Sequence, residues 1–174
     1  MNPIDTHTTL NTSQDLRLEL RFEPETACLY SPTNPNVRAL HIAFSHARME
    51  AHFFPKGQLQ ATHLERAIEW VEDQIQAAHA QWPKGNSLWS SETDLHALAD
   101  VAGVAQGERR VLHVDAVEQT FSRLVLQAMG QSPGQEALPS NAQFYATLVF
   151  VRELMHHLHF PHILLAHQAP HSLR

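Results

Sequence analysis

The sequence predicts an α+β domain: an antiparallel sheet of about four N-terminal strands, five or six in all with later short runs, packed against about four helices. Three observations predict it. Period-2 segments crowd the first third of the chain. Helical spacing of apolar residues dominates from residue 62 onward. Strands that precede helices, rather than alternate with them, favour segregated layers. With 174 residues, 43% hydrophobic and 17% charged, the chain is long enough to bury a core without metal or disulfides.

Residues 1–15 are rich in Thr and Asn without a period and read as an exposed arm. A single domain is expected over 16–166, and 167–174 reads as a polar tail. Leu16 to Glu23 alternates cleanly, with Leu16, Leu18, Leu20 and Phe22 on one face. Pro24-Glu25 turns the chain into a second strand, Thr26 to Tyr30, and Ser31 to Asn36 reads as a loop. Val37–Phe44 and Ala47–Phe54 are expected to form a hairpin around Ser45-His46, with Ile42 opposite Met49 and His41 opposite Glu50.

Thr62 with Glu65 reads as a capping box opening a helix whose buried stripe is Leu64, Ile68, Val71, Ile75 and Ala78. Glu65, Glu69, Glu72 and Asp73 are assigned to its outer face. Pro83 and Gly85 end it, and the loop up to Ser90 carries Trp82 and Trp89, large aromatics that either plug the core or form a contact surface. Ser91 with Asp94 caps a short helix closed by Gly103; Arg109 to Val114 reads as a strand. Asp115 with Glu118 is a second capping box, followed by the stripe Val117, Phe121, Leu124 and Ala128. The last helix is expected from Asn141 to about His159, capped by Ser140, with Phe144, Leu148, Val151, Met155 and Leu158 inward. Ile163 to Ala166 is a short apolar run, fit for a final strand or a segment packed on the core.

Charge and composition narrow the functional classes. A net charge of −6 with neutral histidines argues against nucleic acid and anionic membranes as partners. One cysteine, Cys28, excludes an internal disulfide and every Cys-rich metal site. With no signal-like segment and no apolar run of membrane length, the expected compartment is the cytoplasm. Cys28 itself reads as a buried strand residue. There is no Gly-x-Ser-x-Gly elbow, dinucleotide fingerprint or phosphate-cradling loop, and the six glycines leave little material for one.

Histidine is the anomaly: 14 in all, six of them between 156 and 171. Their protonation near pH 5 to 6 would reverse the net charge, which suggests a pH-responsive binder as a minor reading. On a helix, residues three or four apart share a face. His156 and His159 then point together, with Arg152 on their flank, and a chain reversal at Pro161 brings in His162 as a third imidazole ligand. Glu153 and His157 form a carboxylate–imidazole pair suited to acid–base work on the other flank. On the expected hairpin, His41, Glu50 and His52 make a second, weaker metal set. No motif demands a cofactor; a divalent transition metal is the one these groups would suit. The main functional expectation is a small intracellular binding or accessory protein acting through protein–protein contacts, with a protein partner or a second copy of itself. The alternative is a histidine-based metalloenzyme, a hydrolase or oxygenase, using the C-terminal cluster.

Overall fold

A computed structural model describes residues 17–79, 87–131 and 137–166. The expected arm, the tail and Trp82 lie outside these residues. Six strands form one sheet: β1 (Arg17–Phe22), β2 (Thr26–Tyr30), β3 (Leu40–Ala43), β4 (Ser87–Ser90), β5 (Arg110–His113) and β6 (His162–Leu165), in the order β3-β2-β1-β4-β6-β5. The fold is α+β, as the sequence predicts. The pairs β1–β2, β2–β3 and β5–β6 are antiparallel, whereas β1–β4 and β4–β6 are parallel. Parallel neighbours need long crossovers, and the helices supply them.

The first four residues of β1 show why it sits mid-sheet. Leu18 and Leu20 are wholly buried, while Arg17 and Glu19 are half-buried on the other face. Five helices, α1 (His46–His52), α2 (Ala61–His79), α3 (Thr93–Val101), α4 (Val114–Ala128) and α5 (Ala142–His157), complete the described fold. All four other helices touch α5. That is why α5 is buried nearly all round: Tyr145, Ala146, Leu148, Val149, Phe150, Val151 and Leu154 are each 1% exposed or less. None of the described helices is long and apolar enough to cross a membrane.

The expected hairpin is the principal correction. β3 forms, but residues 46–52 are helix α1 rather than a returning strand. Ser45 decides it, because its hydroxyl accepts the N–H of Arg48 and caps the helix. The segment His46–His52 holds no β-branched residue, and Ala, Arg, Met and Glu favour helix. Met49 and Phe53, four apart, both enter the core. His41 therefore lies on β3, exposed and 4.0 Å from Glu23, while Glu50 and His52 sit exposed on α1. The set His41, Glu50, His52 is not assembled.

Smaller corrections concern helix starts and Trp89. Helix α2 begins at Ala61, so Thr62 lies inside it and the capping box is not used. Helix α3 starts at Thr93, with Glu92 as the N-cap residue, and α4 at Val114, with Asp115 in its first turn. Asn141, not Ser140, caps α5 by accepting the Phe144 N–H at 2.7 Å. Trp89 belongs to strand β4, where the Arg17 guanidinium lies 4.0 Å over its ring. It is not a loop contact. Cys28 is buried on β2 and its thiol is pushed up by burial, an inert placement.

Candidate metal centre

The strand directions define two sheet edges. The carboxyl ends of β1, β3, β4 and β6 share one edge; β6 begins at the opposite edge, just after α5 ends. Helix α5 closes with Leu158 as C-cap, His159 in the left-handed region (φ 58) and the Phe160 N–H on the Met155 carbonyl at 3.0 Å. This Schellman-type reversal ends the helix two residues before the expected His159. It removes His159 from the helical face it was to share with His156. Both are exposed, and His162 instead faces His113 across β5–β6, ring centroids 5.9 Å apart. His156, His159 and His162 do not converge as ligands among the described residues; the group that does is Glu72, Glu153 and His157.

That group is built by packing of α2 against α5. Glu72 borders the buried stripe of α2, next to Val71, and so reaches toward α5 rather than outward as expected. Glu153 and His157 are one helical turn apart on α5. The His157 Nε2 stands 3.5 Å from Glu72 Oε1 and 3.5 Å from Glu153 Oε2, and it is buried with no hydrogen-bond partner. One candidate ligand atom from each residue lies within 4.8 Å of the others.

Glu153 is only 1% exposed. Burial pushes its carboxyl above the usual carboxylate range; Arg152 pulls it back and nearby Glu72 pushes it further. Arg152 takes one oxygen, Glu153 Oε1, and also donates to both oxygens of Glu118 at 3.1 and 3.2 Å. Its guanidinium stays protonated more firmly than usual, the two carboxylates outweighing its own burial cost. The other oxygen, Oε2, is left toward His157 and Glu72.

These donors fit a divalent cation. Four-coordinate sites with bonds of about 2.1 Å place neighbouring ligand atoms roughly 3.4 Å apart. The two 3.5 Å separations here match that spacing and exceed a hydrogen bond. Carboxylate oxygen with imidazole nitrogen suits zinc, manganese or iron. Three protein donors would leave a fourth position open, the pattern of catalytic rather than structural sites. Beside His157 a cavity of ≈ 900 Å³ opens, lined by Gln76, Met155, His156, His159 and Phe160 among others.

The carboxyl edge of the sheet carries different chemistry. Open sheets often bind ligands beyond the carboxyl ends of parallel strands. Here the β1–β2 turn is Glu23-Pro24-Glu25, and Glu92 accepts the Phe22 N–H at 3.1 Å; burial raises its carboxyl. His46 Nε2 meets Thr147 Oγ1 at 2.9 Å and Asp94 Oδ2 at 3.6 Å. Both partners share one nitrogen, so no relay from acid through imidazole to hydroxyl exists. Burial lowers the imidazole, against the pull of Asp94. Ser90 donates to the Leu20 carbonyl at 3.0 Å and is structural. Among the described residues this edge carries Glu23, Glu25, Glu92 and Asp94.

No family model matches the chain, and no curated protein matches it by sequence. Its fold does match solved structures. A Ppx/GppA enzyme from Aquifex aeolicus superposes with TM-score 0.63 at 7% identity, over 87% of this chain and 53% of that one. An exopolyphosphatase-like protein gives TM-score 0.61 at 11% identity, over 92% and 59%. A type II variant of the Aquifex aeolicus Ppx/GppA phosphatase gives 0.63 at 8% identity. The chain spans between half and three fifths of the length of these structures, and at such identities the likeness is one of fold. The architecture is one that phosphatases use. That fold likeness to enzymes runs against the expectation of an accessory protein working through protein contacts.

Proposed function

We propose that the chain is a metal-assisted hydrolase acting on phosphate esters or anhydrides, with a divalent transition-metal ion held by Glu72, Glu153 and His157. One observation carries the reading: an unpartnered imidazole nitrogen stands 3.5 Å from each of two carboxylates, at ligand rather than hydrogen-bond spacing. The phosphatase fold of the neighbours supplies the substrate class. When bound, such an ion supplies Lewis acidity and an activated water. The protein's own groups do the rest. Arg152, anchored by Glu118, fixes the Glu153 carboxylate. His156 and His159 line the adjoining cavity and offer N–H donors to a phosphoryl group.

The test is calorimetric titration of tag-free, chelator-stripped protein with Zn²⁺ and Mn²⁺, followed by p-nitrophenyl phosphate turnover with each ion. One ion per chain, turnover that EDTA abolishes, and loss of both in Glu153→Gln are expected. Metal affinity unchanged in Glu153→Gln and His157→Ala alike would sink the site. Tight metal binding without turnover would keep the site and reject the hydrolase.

A further inference from the structure

We propose a second binding site, on the sheet face turned away from the helices, for a small planar aromatic anion. The pairing register puts Tyr30, Glu19, Trp89, Leu164 and Val111 in one row across β2, β1, β4, β6 and β5. Their strand neighbours Leu18, Leu88, Ile163 and Leu112 are fully buried on the opposite face, as alternation requires. The row itself is half-buried. A cavity of ≈ 490 Å³ opens on it, lined by Trp89, Val111 and Leu164 together with Glu108, Arg109 and Arg110. Volumes of about 300–1,000 Å³ with apolar walls and a few polar groups are usual for small-molecule sites.

The charges choose the ligand. Arg17 lies 4.0 Å over the Trp89 ring, and its Nε is buried without a hydrogen-bond partner. Among the described residues neither Arg17 nor Arg109 has a salt bridge, whereas Glu19 is held by Arg21 at 3.2 Å. Glu108 is the carboxylate in the lining. Arg110, also in the lining, is committed to Asp100; Arg109 in the lining and Arg17 beside it, over the Trp89 ring, then face the single carboxylate of Glu108. A flat ring gains contact with the indole, Val111 and Leu164. A carboxylate or acidic phosphoryl group on that ring gains Arg17 and Arg109, whose planar forks suit such anions. A cationic ring of the same shape would meet like charge.

The site is independent of the hydrolase reading. It is tested on the full chain by NMR titration with 1-naphthoate and, as control, 1-naphthylmethylammonium. At the efficiency usual for small ligands, a thirteen-atom probe is expected to bind with Kd of about 1 mM or tighter, shifting the Trp89 indole N–H. The ammonium control should bind about tenfold more weakly, as should naphthoate to Arg17→Met. Arg109→Ala changes only an exposed residue and should weaken naphthoate about threefold, which keeps the test open if Arg17→Met fails to fold. Equal affinity for both probes overturns the proposal. So does naphthoate binding weaker than about 10 mM, or unchanged in the folded variants.

Discussion

Glu153→Gln separates a metal ligand from a structural carboxylate. The substitution keeps the shape but removes the charge and turns one acceptor oxygen into an NH2 donor. In the metal-free protein two effects oppose. Arg152 loses one of its two carboxylates, though Glu118 still holds it at 3.1 and 3.2 Å. The buried charge beside Glu72, which pushes the Glu153 carboxyl up, disappears. The net change without metal is expected within about 1 kcal/mol of wild type. With metal the expectation differs. At a concentration one hundred times Kd, a bound ion stabilises wild type by about 2.7 kcal/mol. Outer-shell partners of a ligand already contribute about 10- to 100-fold in affinity, so losing a ligand itself should weaken binding at least a hundredfold. At the same metal concentration the increment then falls to about 0.4 kcal/mol. Urea unfolding in EDTA and in Zn²⁺ measures both quantities for each protein. A variant that retains the full metal increment refutes the ligand assignment, whatever happens to its metal-free stability.

Three further outcomes follow from the geometry. Phe150 is fully buried, with Phe44 and Phe22 rings at 4.2 and 5.7 Å; Phe150→Ala should cost about 3–5 kcal/mol in urea unfolding, and a loss under about 1.5 would contradict its central place. Arg110, 2% exposed, donates to the His96 and Val104 carbonyls and to Asp100, closing the end of α3; Arg110→Lys cannot reproduce that fork and should cost about 3 kcal/mol by thermal or urea melts. His46 is held below the ordinary imidazole value of 6.5 by burial. The folded state thus prefers the neutral ring, so its contribution is present above pH 6.5 and is lost as pH falls below it. Between pH 7 and 5 wild type should lose more stability than His46→Gln; parallel pH profiles would refute this.

Much of the fold is legible because its signals are local. The alternation of Leu18, Leu20 and Phe22 needs only the strand pleat, and β2 follows from the turn at Pro24. The stripes of α2 and α4 need only the helical repeat. Residues 47–54 mislead because apolar positions at 49, 51 and 53 satisfy a strand, while 49 and 53 equally satisfy a helix. Ser45 as a cap was the available clue. The expected helix starts at Thr62, Ser91 and Asp115 fail by one or two residues, since neighbouring polar residues compete for one capping role. Pro83 and Gly85 predict a loop around Trp89, because a four-residue strand carries too few positions for periodicity to show.

The candidate site divides in the same way. Glu153 and His157 are four apart on a helix, so their approach is set by helical geometry and was readable from spacing. The apolar stripe of α2 predicts Glu72 on its outside. Its position depends on the angle at which two helices pack, which the stripe of one helix does not specify. The parallel pairing of β1 with β4, and of β4 with β6, was likewise out of reach. By itself the sequence determined most of the elements, though not α1 or β4, and the pair within one helical turn, because those contacts lie within a few residues. The tertiary structure decided which elements meet and brought a carboxylate from α2 to that pair. Those outcomes depend on packing summed over the whole core, which no local window contains.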